Sequence, residues 1–132
     1  MASFNVHLHA HVEQDKNIST WSLILTNENG KELSHYLGAA ETVEEDTAYH
    51  AAIDGARELM KKSPNHKYTL YIPTNKYDGY ARISGLMPAE SPAGETTDLA
   101  KVMAESAWKF VLVGGLKRNG YQKAKVTNGS NG

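Results

Sequence analysis

The sequence predicts an α/β domain on a mixed five-stranded sheet, with a three-strand antiparallel meander followed by strands alternating with helices. Three observations predict it. Residues 4–12 alternate Phe4, Val6, Leu8, Ala10 and Val12 with Asn5, His7, His9 and His11, the period-two pattern of a strand with one buried face. Two further strand-like segments follow after short turns. Beyond them apolar residues recur at spacings of three and four, the helical period.

Each element has its own signals. Glu13-Gln14-Asp15-Lys16-Asn17 is a turn, and residues 20–26, Thr20-Trp21-Ser22-Leu23-Ile24-Leu25-Thr26, form the second strand. Asn27-Glu28-Asn29-Gly30 supplies a tight turn, because Asn-Gly adopts positive φ cheaply. Residues 32–37 return as the third strand. Thr42-Val43-Glu44-Glu45 reads as a capping box with Thr42 as N-cap. Tyr49, Ala52, Ile53, Ala56, Leu59 and Met60 then make a core-facing stripe, and Ser63-Pro64-Asn65 ends the helix. Residues 67–72 are a strand stopped by Pro73, and residues 75–86 are weakly helical. A second helix begins near Thr97-Asp98 and is expected to turn Leu99, Val102, Met103 and Ala107 inward. Residues 108–113 read as the last strand.

The organisation is expected to be one domain over residues 1–116 and a basic, flexible tail over residues 117–132. The tail carries Lys117, Arg118, Lys123 and Lys125 and no acidic residue. At 132 residues the chain has one domain's worth of core. A formal net charge of -1 provides no overall field for nucleic acid, so any such surface must be local. The absence of cysteine removes disulfides and thiolate chemistry. No apolar run is long enough to cross a bilayer and residues 1–5 carry no signal-peptide pattern, so the expected location is cytoplasmic, with no membrane partner.

The element order, together with Trp21-Ser22-Leu23-Ile24-Leu25, Asn29-Gly30-Lys31-Glu32-Leu33 and the alanine-rich Ala51-Ala52-Ile53-Asp54-Gly55-Ala56-Arg57-Glu58-Leu59, resembles the ribonuclease H-like fold over residues 4–113. In that family four carboxylates hold two divalent metals, which clamp the attacking and leaving oxygens of a phosphodiester. The resemblance implies that the first three of those positions fall at His9, Ala48 and Thr74, and that residues 114–125 offer no counterpart of the fourth. No motif carboxylate is present, so the implied protein is a degenerate member, a pseudoenzyme with no assigned catalytic residue.

What remains is a candidate binding groove lined by His7, His9, His11, His50, Thr74, Asn75 and Lys76, with Lys117 and Arg118 as phosphate contacts. Tyr68, Tyr71, Tyr77 and Tyr80, near Lys76 and Arg82, are candidate stacking surfaces, against the plainer reading that tyrosine is an ordinary strand-forming residue. His7, His9 and His11 share one strand face, and imidazoles so spaced suit a divalent transition metal. The plainer reading is an exposed polar face needing no cofactor. The expected function is a catalytically inactive binding module for nucleic acid, a nucleotide or a protein partner, such as a small accessory or viral factor. Two alternatives stay open: a metal-dependent nuclease or phosphodiesterase on the histidine face, and a structural homo-oligomeric subunit.

Overall fold

The computed structural model describes residues 2–62, 65–73, 88–90 and 94–123. The chain runs through β1 (Ser3–Glu13), a 3-10 turn (Gln14–Lys16), β2 (Ile18–Asn27), β3 (Glu32–Ala40), α1 (Glu45–Met60), β4 (Lys67–Ile72), β5 (Pro88–Glu90), α2 (Glu95–Ser106), α3 (Trp108–Leu112) and β6 (Gly120–Lys123). Strands β1, β2, β3, β4 and β6 form a mixed sheet in which β1 and β4 pair in parallel and the other neighbours are antiparallel. The three-residue β5 extends it by pairing parallel to β4, giving the order β5-β4-β1-β2-β3-β6.

The meander forms as its pattern predicts. Asn27 Oδ1 accepts the N–H groups of Asn29 and Lys31, both at 2.9 Å, and Gly30 takes φ 84° to close the turn. Helix α1 starts later than the capping box suggests. Glu44 stands at the N-cap, and Thr42 Oγ1 accepts the Glu44 N–H at 3.1 Å, folding the approach to the helix rather than capping it.

The two faces of the sheet are covered differently. Val6, Leu8, Ala10, Trp21, Leu23, Leu70 and Ile72 pack against Ala48, Tyr49, Ala52, Ile53 and Ala56 of α1. The opposite face meets α2 and α3, where Ile18, Leu37 and Ala39 pack with Ala107, Val111 and Leu116. Burial of both faces is what a central strand with a parallel neighbour requires. Among the described residues no helix is long and apolar enough to cross a membrane.

Three expectations for the C-terminal third are corrected. Residues 108–113 are not a strand, because Ala100, Ala104, Ala107 and Val111 are buried at helical spacings and carry the helical phase into α3. Leu99 and Val102 face outward, 37% and 59% exposed, while Ala100 and Ala104 face the sheet. Small residues are needed there because α2 lies close enough for β2 hydroxyls to reach its carbonyls. Thr20 Oγ1 donates to Ala104 O at 2.7 Å, and Ser22 Oγ donates to Ala100 O. The flexible tail does not begin at 117, since β6 adds to β3. Asn119, at φ 55°, turns the chain and accepts the Glu41 N–H on Oδ1 at 2.8 Å, and Gln122 Nε2 donates to Gly115 O.

Replacing Thr20 by valine keeps its shape and β propensity but deletes the bond to α2. Unfolding stability is expected to fall by about 1 kcal/mol, with the loss of amide protection concentrated in α2. Urea denaturation and hydrogen exchange read both quantities. Unchanged protection in α2 would show that the hydroxyl bonds do not hold the helix.

Candidate functional site

The histidine stripe lies on the α2 side of the sheet, where His7 is buried and His9 and His11 are partly buried. His7 is 8% exposed. Its ring stacks on Tyr71 of β4, with centroids 5.0 Å apart and an interplanar angle of 23°, and its Nδ1 lies 3.5 Å from Thr97 Oγ1 of α2. Burial holds the His7 pKa below its usual 6.5, so the ring is neutral at neutral pH. His9, half-buried, has Nδ1 buried without a hydrogen-bond partner among the described residues. Its pKa is also lowered, first by burial; Lys101 and His11 act in the same direction, while the Ala10 backbone and Glu105 oppose it. His11 Nε2 lies 3.0 Å from Glu13 Oε1.

These rings do not converge. One stacks on Tyr71, one points beneath α2 and one pairs with Glu13, spread along a strand at about 6.6 Å per pair of residues. Among the described residues no three His, Cys, Asp or Glu side chains form a group able to hold a metal ion. His50 belongs to α1, which packs on the face opposite the stripe, so the sheet separates it from His7, His9 and His11. Lys117 and Arg118 are exposed ahead of β6, at the sheet edge farthest from β4. Thr74, Asn75 and Lys76 lie outside the described residues, as do Tyr77, Tyr80 and Arg82.

His9 and Ala48, which the resemblance would place in one acidic site, also stand on opposite sides of the sheet. The β1 residues that share a face with Ala48 are Leu8 and Ala10. Ile72 and Tyr49 complete that region. Tyr49 Oη donates to Ala10 O at 3.4 Å, and burial pushes its phenol up to about 12, which keeps it a donor.

The structure instead forms an open cleft of ≈ 340 Å³ at the N-terminus of α2, between β1, β4 and the β2–β3 turn. Its lining includes Asn5, His7, Thr26, Glu28, Tyr71 and Thr97. Asn5, His7, Thr26 and Tyr71 come together because cross-strand register places them on one face, Asn5 opposite Thr26 and His7 opposite Tyr71. Thr26 is wholly buried, and its Oγ1 has no hydrogen-bond partner among the described residues. The β2–β3 pairing shifts register between Leu25 and Thr26, as at a β-bulge. Gly94 stands at the N-cap of α2 and has no side chain with which to cap the helix.

Sequence reasoning found His7 and Tyr71 but missed Asn5, Thr26 and Thr97. The signal was the hydroxyl stripe Thr20, Ser22 and Thr26 alternating with Trp21, Leu23 and Leu25. It becomes informative only once α2 is known to cover part of that stripe and leave Thr26 beside its end. In comparisons with known proteins, the chain matches no family model and no curated sequence.

Proposed function

We propose that this chain is a ribonuclease H-like binding module that holds its ligand without hydrolysing it. The observation that carries the reading is the side of the sheet covered by α1. There Leu8, Ala10, Ala48, Tyr49 and Ile72 meet, and none brings a carboxylate. Two-metal phosphodiester chemistry needs several hard oxygen ligands at one place, and these side chains do not fit that requirement. The meander, the crossing helix α1 and the parallel strand β4 support the fold assignment, since they follow the element order of that family. The ligand classes this reading admits are nucleic acid, a nucleotide and a protein partner.

The test is cleavage of an RNA–DNA hybrid in Mg²⁺ or Mn²⁺, run beside binding of the same hybrid and of single-stranded oligonucleotides in EDTA. No turnover above the protein-free control, with binding that survives EDTA, is the expected result. Metal-dependent turnover abolished by His9→Ala would replace this reading with an enzyme.

One observation favours a second reading, a self-associating subunit. Phe110, Leu112 and Val113 are 49%, 51% and 79% exposed, an apolar surface at and just after α3. Sedimentation would then show a mass that rises with concentration, and Val113→Asp would return it to the monomer.

A further inference from the structure

We infer that the outward face of α2 and α3 is a two-fold interface between two copies of this chain, the helices crossing antiparallel at Ser106. The inference rests on the reading of the chain as a self-associating subunit, and names the surface and the geometry of that association.

From Glu95 to Leu112 the chain is a nearly continuous helical rod. α2 ends at Ser106, α3 begins at Trp108, and Ala107 between them keeps helical dihedrals, φ -65° and ψ -24°. Ala100, Ala104, Ala107 and Val111 make its buried side. A separate apolar line runs along the outer surface through Leu99, Val102, Phe110 and Val113, all exposed. At about 100° per residue, these four and Ser106 fall within about 80° of the helix circumference. Leu112, also exposed, lies off this line.

The line has the same spacing in either direction. Val102 and Phe110 stand four residues before and after Ser106, and Leu99 and Val113 stand seven before and after. An isologous two-fold contact needs this property, because residue i then meets residue j of the partner while j meets i. With Ser106 on the axis, Val102 lies against the partner's Phe110 and Leu99 against the partner's Val113, each contact made twice. A small side chain at the crossing lets the two rods approach closely. Ser106 Oγ donates to Val102 O of its own helix at 3.0 Å, so its proton is already placed.

Charge favours a second copy over a different partner. Glu105 and Lys109 are exposed beside the line, and neither forms an ion pair among the described residues. Lys109 Nζ lies 5.9 Å from the centroid of the Trp108 ring, and the Glu105 charge acts on His9. In the antiparallel crossing, each Lys109 comes within about 3 Å, measured along the axis, of the partner's Glu105. Two such attractions form against a single approach of Glu105 to the partner's Glu105. A surface with both signs in this order complements itself, whereas a nucleic acid would meet Glu105 as a repelling charge.

Sedimentation equilibrium over a range of concentrations would compare the wild-type chain with Glu105→Lys, Lys109→Glu and the double exchange. A monomer–dimer equilibrium that stops at two copies is expected. Each single reversal is expected to raise the dissociation constant about tenfold, because it gathers four like charges at the crossing. The double exchange is expected to restore the wild-type value, which a loss of folding would not allow. The chain has no cysteine, so Ser106→Cys supplies one thiol per copy. Oxidation with diamide is expected to link two copies through it, since the residue on the axis meets its own counterpart, while Lys117→Cys stays unlinked. A chain that is monomeric at every concentration would end both this inference and the self-associating reading. Dimers that ignore the charge reversals and give no cross-link in Ser106→Cys would keep that reading and overturn this surface. Mass that keeps rising beyond the dimer would indicate a head-to-tail contact and overturn the two-fold.

Discussion

Gly38→Ala is expected to lower the unfolding free energy by more than about 3 kcal/mol, above the usual range for an added methyl in a packed core. The reason is the seat of Trp21. Its indole, 2% exposed, lies between β3 and α1, and a Cβ on Gly38 would lie 2.1 Å from two of its ring carbons, well inside contact distance. A Cβ on Gly55 of α1 would strike the same ring from the helix side. The indole therefore cannot move away from one methyl without meeting backbone on the other side. Gly55→Ala sharpens the test, because at an unconstrained helix position the change would stabilise by up to about 1 kcal/mol; here it is expected to destabilise. Trp21→Leu in the Gly38→Ala background should recover part of the loss, and the coupling measures the clash itself. Urea denaturation followed by far-ultraviolet circular dichroism gives each value. A Gly38→Ala protein within about 0.5 kcal/mol of wild type, the range of ordinary surface substitutions, would show that Trp21 is not wedged there.

Acid is expected to weaken the fold well above the range in which unperturbed carboxylates titrate. Burial lowers the pKa of both His7 and His9 below 6.5 in the folded chain. The unfolded chain therefore takes up these protons first as pH falls, and each proton bound only by the unfolded state favours unfolding. The stability is fully present above about pH 6.5 and is lost as pH drops through that value toward the folded-state pKa values. Each histidine adds a slope of at most about 1.4 kcal/mol per pH unit within that window. Burial alone lowers His7, while for His9 burial acts first and Lys101, Glu105 and His11 act in addition. Urea midpoints at pH 7.5 and 5.5 should differ clearly in wild type and converge in a His7→Gln/His9→Gln double variant. A wild-type midpoint that does not move across this interval would mean that the two rings accept protons inside the fold.

Much of the architecture was legible because its signals are local. Alternation along β1, the Asn27–Gly30 turn and the stripe from Tyr49 to Met60 each arise from interactions within a few residues, so they survive without knowledge of partners. The C-terminal third was not legible in the same way. The apolar residues 108–113 suit a strand or a buried helix equally well over so short a span. The phase of α2 was misread because Leu99 and Val102 are the larger apolar residues, whereas close approach to Thr20 and Ser22 admits only Ala100 and Ala104.

The candidate site divides along the same line. By itself the sequence determined an α/β chain with a meander, a long helix and three histidines on one strand face, since strand alternation alone decides that they share it. Whether that face met water or a helix depended on where α2 lay, more than eighty residues further along the chain. The tertiary structure alone decided that His50 belongs to the other face, that Ala48 faces Ala10 rather than His9, and that Thr26 stands beside the end of α2. Those are relations between elements distant in sequence, set by strand register and by which face each helix covers, and no local pattern encodes either.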